Sequence, residues 1–227
     1  MSGIETLLDA IEPKVCLVSG KVIPPNNPYK YFDEEELLSL QIPPHPLSIR
    51  ERLIQEYDLD DLAISKVIAL FKLNEEDKIL DAIHKFKYLG IRGIGEEFGY
   101  MLSRLIDKEN YDISIPIPIH KARLRERGFN QSEIIAKEIE NRIGLLTNNK
   151  SIKRNKYTHS QAKLSHNERK SNLAGKFEII DKSAIFNKRI LLIDDVLTTA
   201  NTANYCAELL LIAGARRVDI AVVAVAY

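Results

Sequence analysis

Tryptophan is absent from this 227-residue chain, and cysteine and methionine occur only twice each. Two cysteines, Cys16 and Cys206, cannot build a disulfide framework or a four-cysteine zinc site. No apolar run approaches the ~18 residues that a bilayer-crossing helix needs, so no membrane insertion is expected. Glu5, Asp9 and Glu12 stand where a signal peptide carries a basic and then an unbroken apolar stretch, which leaves a soluble, cytoplasmic protein as the expectation. No G-x-x-x-x-G-K-[ST] run exists, which excludes a P-loop motor. Gly93-Ile94-Gly95 leads to Glu96-Glu97 and not to a glycine-led helix after a strand, so the dinucleotide fingerprint fails too. The five histidines are scattered, His159 and His166 among them, with no second metal ligand at helical spacing. What remains is ordinary globular composition, 45% hydrophobic and 28% charged. The length suits one medium domain with an appendage, or two small ones.

The zero net charge conceals a segregation. Residues 31–61 hold nine acidic side chains against two arginines, whereas residues 121–170 hold thirteen Lys/Arg against five Glu. A basic middle suits an anionic ligand such as a phosphate or a nucleic acid. Two solvated faces that partly pair with each other are the other reading of the same pattern.

Along the chain, the prolines at 24, 25 and 28 and at 43, 44 and 46 mark two early loops, with short helices expected over 33–40 and 48–57. Residues 63–72 read as a strand, followed by a helix capped by Asn74 that carries Ile79, Leu80, Ile83 and Phe86 on one stripe and ends at Gly90. The main domain is therefore placed at 62–227, after an irregular segment 1–61. A helix through Phe98, Leu102 and Leu105 leads to a strand over 111–115, which Pro116 and Pro118 should end. A basic loop comes next, then a helix over 130–143 stopped at Gly144. Residues 145–175 are polar and poorly periodic, which suggests a mobile functional loop. A buried strand at 189–193, a polar turn, a helix to about Ala213 containing Cys206 as a small core residue, and a strand over 218–226 complete the pattern. Strands alternating with helices predict an α/β fold with a twisted, mainly parallel sheet flanked by helices.

The sharpest segment runs Leu191-Leu192-Ile193-Asp194-Asp195-Val196-Leu197-Thr198-Thr199-Ala200-Asn201-Thr202. An apolar strand meets two carboxylates, then a hydroxyl-rich turn, then a helix. In a parallel sheet the C-terminal strand ends face the ligand crevice, and free N–H groups at a helix start favour phosphate. Two carboxylates beside a phosphate cradle make sense if they accept hydrogen bonds from sugar hydroxyls or hold a magnesium ion. Together they read as a receptor for a ribose 5-phosphate. An ordinary strand end with a helix cap is the alternative, although a cap needs only one of these residues.

Acid-acid-x-x-Thr-Thr after a buried strand resembles the phosphoribosyl pyrophosphate (PRPP) signature of type I phosphoribosyltransferases. Asp112-Ile113-Ser114-Ile115-Pro116-Ile117-Pro118-Ile119-His120, then Arg123-Leu124-Arg125-Glu126-Arg127-Gly128-Phe129-Asn130-Gln131, resembles the ComF family, whose members share that fold. So do Thr158, Gln161, Leu164, Arg169 and Asn172, and Phe86-Lys87-Tyr88-Leu89-Gly90 at the start of the domain. The resemblance covers about residues 62–227, with four motifs in order. It implies a type I phosphoribosyltransferase fold preceded by a small irregular N-terminal segment. Asp194 and Asp195 would contact the ribose hydroxyls, with magnesium entering alongside PRPP near them. Thr198, Thr199, Ala200, Asn201 and Thr202 would hold the 5-phosphate. Ile119, His120 and Lys121 correspond to the pyrophosphate loop, with Arg123, Arg125 and Arg127 as counter-charges. Arg154, Thr158, Gln161 and Arg169 resemble the flexible loop that closes over PRPP.

Two departures from the family stand out. Glycine is usual at the position of Ala200, where a methyl suits a negative φ and hinders a positive one. Relatives carry an N-terminal zinc module with several cysteines, of which Cys16 alone remains, so no structural zinc is expected. The resemblance implies Mg-dependent phosphoribosyl transfer to an unknown acceptor with release of pyrophosphate. It equally allows a non-catalytic PRPP- or nucleotide-sensing module working with competence proteins that take up single-stranded DNA. Against direct strand binding, Phe129 and Tyr157 are the only aromatics in the basic stretch.

Overall fold

The computed structural model describes residues 13–40, 45–56, 62–73, 78–155 and 175–226. Two short helices, α1 (Glu34–Ser39) and α2 (Pro46–Glu56), precede strand β1 (Val67–Leu73). Helices α3 (Ile79–Tyr88) and α4 (Arg92–Ser103) lead to β2 (Ile113–Pro116). Then come α5 (Lys121–Arg127), α6 (Gln131–Ile143), the short strands β3 (Ile152–Arg154) and β4 (Phe177–Ile179), β5 (Arg189–Leu197), α7 (Asn201–Ile212) and β6 (Arg217–Ala226). The main sheet has the order β1-β6-β5-β2, and every neighbouring pair is parallel. β6 is buried along nearly its whole length, which explains its unbroken run of Val, Ile and Ala: a central parallel strand is covered on both faces.

Two apolar layers cover the sheet. On one side Phe86, Phe98, Leu102 and Ile135 pack with Leu191 and Ile193, and residues ahead of β1 join them. Phe32 lies 5.2 Å from Phe98 between ring centroids, and the buried Cys16 thiol accepts a hydrogen bond from the Asp33 amide. On the other side Ile49 and Leu53 of α2 and Leu210 of α7 pack against Ile190 and Leu192. Asp33 caps α1 through the Glu36 amide. Lys137 and Arg142, within the basic stretch, pair with Glu140 and Glu138 of their own helix.

Several boundaries differ from the sequence expectation. Pro116 does not end β2 from outside but is its last paired residue, opposite Ile193. β2 is an edge strand, where a missing N–H is tolerated, and the next amide, Ile117, resumes the ladder by donating to the Ile193 carbonyl at 2.9 Å. The basic loop after Pro118 contains α5, a helix with no apolar stripe to betray it; His120 Nδ1 caps it through the Ala122 amide, and Gly128 closes it at φ 79°. The polar stretch 145–175 contains β3, paired antiparallel with β4. Asn74, the expected cap of α3, lies outside the described residues.

Helices α4 and α6 approach closely because α4 carries glycine where they meet. A Cβ on Gly99 would stand 2.8 Å from the Ile135 carbonyl oxygen, a backbone atom that cannot swing aside. Gly99→Ala should therefore lower stability by about 1–3 kcal/mol despite alanine's better helix propensity, because overpacking outweighs a propensity gain of about 1 kcal/mol. Urea or thermal denaturation measures this, and an unchanged or raised midpoint contradicts the packing argument.

Candidate functional site

Asp194 and Asp195 lie within β5, not beyond it, so the ladder to β6 continues past them to Leu197↔Val225. The Asp195 amide donates to Asp194 Oδ1 at 2.9 Å and the Val196 amide to Asp195 Oδ1 at 2.7 Å. Residues 198–200 turn the chain into α7, and Asn201 Nδ2 donates to Thr199 Oγ1 at 2.9 Å across that turn. The first amides of α7 have no partners inside the helix, and its dipole presents positive charge there. Ala200 occupies the N-cap with φ 54°, the left-handed region, and its methyl is buried. The negative φ that suits an alanine is thus not what this turn adopts.

These elements surround one cavity of about 200 Å³. Its lining unites Asp194, Asp195, Thr198, Thr199, Ala200, Asn201 and Thr202 with Ile119, Arg123, Arg127 and Arg154. His120 and Lys121, expected in the pyrophosphate loop, do not line it: His120 caps α5 and Lys121 is exposed. Arg125 is also exposed and outside the lining, for a helical reason. Residues four apart share a helix face, so Arg123 and Arg127 face the cavity together while Arg125 falls elsewhere. Thr158, Gln161 and Arg169 lie outside the described residues.

Three polar lining residues, Lys87, Gln131 and Ser132, carry no site role in the sequence reading. Lys87, at the last turn of α3, pairs with Asp195 at 3.0 Å. Ser132 Oγ donates to Asp194 Oδ1 at 2.9 Å. Gln131, 1% exposed, accepts from Arg127 Nη1 at 3.1 Å, and the Arg127 guanidinium also stacks 5.2 Å from the Tyr88 ring centroid. Lys87 and Gln131 stood inside recognised motifs, but only the fold shows that α3 and α6 aim them at the acids and at Arg127.

Burial, and then the neighbouring Asp195 charge, push the Asp194 carboxyl up to about 7, against the opposing pull of Ser132 and Lys87. Burial and the like charge of Arg123 hold Arg154 below the usual guanidinium range. Donors are in surplus. Gln131 Nε2, Arg127 Nε and Arg154 Nε are buried without a partner among the described residues. Four cations, Lys87, Arg123, Arg127 and Arg154, stand against two carboxylates in the lining, which favours a ligand rich in acceptor oxygens. Aspartate oxygens suit a hard cation such as magnesium. Yet the described residues include no cluster of three or more His, Cys, Asp or Glu that could hold a metal ion. The pair therefore fits an ion that brings further oxygens with its ligand, not a self-sufficient metal centre.

A parallel sheet with an acid pair and a threonine-rich turn at its C-terminal mouth fits a type I phosphoribosyltransferase fold. The Phosphoribosyl transferase domain family matches residues 124–226. The chain is 27% identical over 158 residues to Competence protein F of Haemophilus influenzae, covering 69% of this chain and 66% of that protein. It is 26% identical over 157 residues to DNA utilization protein YhgH of Escherichia coli K12, covering 69% and 65%. To Competence protein ComFC of Bacillus subtilis it is 24% identical over 160 residues, covering 67% and 60%. The matches thus span at most 66% of the length of these relatives. The chain is similar to competence and DNA utilization proteins over about two thirds of its length. Among the described residues no helix is long and apolar enough to cross a membrane.

The raised Asp194 carboxyl has a measurable consequence. A group with an elevated folded-state pKa stabilises the fold below its unfolded value near 3.8, and that contribution is lost as pH rises through about 7. Asp194→Asn removes the titration, so its Tm relative to the unmodified protein should climb between pH 5 and pH 8. A difference independent of pH in thermal melts over that range would contradict the assignment.

Proposed function

We propose that the protein binds PRPP and transfers its phosphoribosyl group, with pyrophosphate leaving, to an acceptor whose identity is open. The observation that carries this reading is the cavity that gathers the acid pair, the α7 turn and the arginines of α5 and β3. In it, Asp194 and Asp195 accept hydrogen bonds from the ribose hydroxyls, and the amides and hydroxyls of residues 198–202 take the 5-phosphate. Arg123, Arg127 and Arg154 face the pyrophosphate, where planar guanidinium forks match phosphate oxygens. A bond forms between the acceptor's nucleophilic atom and C1 of the ribose. The bond from C1 to the pyrophosphate oxygen breaks, and its electron pair departs with pyrophosphate. When bound with PRPP, magnesium would be held near Asp194 and Asp195 and would supply neutralisation of part of the phosphate charge. The chain's own contribution is positioning and electrostatics, which suffices for chemistry of this kind without a dedicated general base. Residues 1–61 are read as a metal-free counterpart of the family's zinc module.

A second reading, a non-catalytic PRPP- or nucleotide-binding accessory of DNA uptake, draws on the names of the competence relatives and on the basic stretch. Single-strand binding weakens steeply with salt, whereas a PRPP site depends chiefly on magnesium.

With Mg²⁺ and PRPP at about a hundredfold over Kd, the Tm should rise by roughly 5–10 °C. Asp194→Asn combined with Asp195→Asn should abolish that rise. Calorimetric titration of the unmodified protein with no PRPP binding would leave only the fold assignment standing. Incubation with PRPP and a panel of bases, amines and ammonia, monitored for pyrophosphate release, tests transfer. Tight binding with a silent panel selects the accessory reading.

A further inference from the structure

Lys87 is the one cavity-lining cation ion-paired with the acids among the described residues, its Nζ standing 3.0 Å from Asp195 Oδ1. Both side chains are largely withdrawn from solvent, 19% and 12% exposed, so this is not a screened surface pair. It sits at the C-terminal turn of α3, where the helix dipole favours a cation. A lysine is not needed there for packing: Ile79, Ile83 and Phe86 already bury the apolar face of α3. Nor does the proposed transfer require a cation at that spot, since magnesium is expected to arrive with PRPP.

We infer that Lys87 is the resident counter-cation of the acid pair, neutralising Asp195 in the free protein and keeping a bare divalent ion out until a phosphorylated ligand brings one. The inference deepens the reading proposed above and rests on it for the identity of the ligand. The acids offer two carboxylates, whereas magnesium wants about six oxygens. A lone ion bound to Asp195 would meet the Lys87 ammonium, whose Nζ stands 3.0 Å from that carboxylate, and like charges that close repel strongly where water is scarce. Phosphate oxygens supply the missing ligands and screen the ammonium. Lys87 thereby makes metal entry conditional on the ligand, a property that a merely structural ion pair does not have.

The test is thermal denaturation with magnesium alone, at matched ionic strength and without PRPP. The unmodified protein should not respond. Lys87→Met leaves Asp195 buried beside Asp194 without its partner. It should melt lower in metal-free buffer and recover about 3–5 °C in ~10 mM magnesium, given an affinity on the order of 1 mM. Lys87→Met with Asp195→Asn should lose that recovery, and Lys87→Arg should behave like the unmodified protein. Should Lys87→Met not fold, Lys87→Gln keeps a hydrogen-bond donor for Asp195 without the charge and serves the same comparison. The inference is overturned if the unmodified protein takes up magnesium alone as readily as the variant does, or if the folded variant ignores magnesium. Repeating the series with PRPP keeps the two ideas apart. No PRPP response with the magnesium pattern intact removes the phosphoribosyl reading and leaves Lys87 in its role, and the reverse removes Lys87 alone.

Discussion

Two carboxylates on consecutive residues of a strand whose ladder to β6 continues past both have little freedom to move apart. β5 is held by β2 and β6, and its ladder to β6 runs on past the acids. Relief has to come from other elements, and it does: Ser132 from the start of α6 donates to Asp194, and Lys87 from the end of α3 pairs with Asp195. The residual strain shows in the Asp194 carboxyl, which burial and its neighbour drive far above the ordinary carboxylate range. A site that keeps its acids in such surroundings is poorly suited to standing empty and well suited to a ligand that brings hydroxyl donors and cationic charge. The same rigidity fixes the distance from the acids to the α7 turn.

The frame of the site was legible because burial writes itself into composition. The apolar runs of β5 and β6 and the switch from strand to acids to threonines are local, and a parallel sheet puts such a junction at the ligand face. The bracing groups were not legible, since they are joined to the acids only through tertiary packing. Lys87 precedes Asp195 by more than a hundred residues, and nothing in Phe86-Lys87-Tyr88 says which way an amphipathic helix aims its last turn. Helix α5 hid for a different reason: it has no apolar stripe, so periodicity is silent, and its existence rests on a histidine cap and a left-handed glycine. That unseen helix decides which arginines count. In a loop, positions 123, 125 and 127 are equivalent candidates; in a helix, 123 and 127 share a face and 125 does not.

The surplus of donors gives the cavity its chemical preference. Counting charge alone, Lys87, Arg123, Arg127 and Arg154 outnumber Asp194 and Asp195 at the same lining. The arrangement is also polarised, with acids near the strand end and guanidinium groups carried by α5 and β3. A ligand with hydroxyls at its centre and anionic groups at its ends satisfies both, whereas a uniformly anionic polymer would meet the acids unfavourably. Tyr88 and Gln131 reinforce this by holding Arg127 between a ring and a carboxamide, which reduces the entropy lost when the guanidinium engages an anion.

Ala200 shows how the turn tolerates a residue its backbone does not favour. A left-handed alanine costs about 1–2 kcal/mol relative to the right-handed region. Against that, its methyl is buried, worth about 0.8 kcal/mol, and an alanine restricts the unfolded chain more than glycine by about 0.4–1 kcal/mol. The opposing contributions nearly cancel, so stability exerts little pressure to restore glycine. In this turn the Cβ joins the apolar layer of Leu197, Ala203 and Ala207 beneath α7. A methyl seated in that layer gains apolar contacts that offset its left-handed backbone, which is how this turn accommodates an alanine.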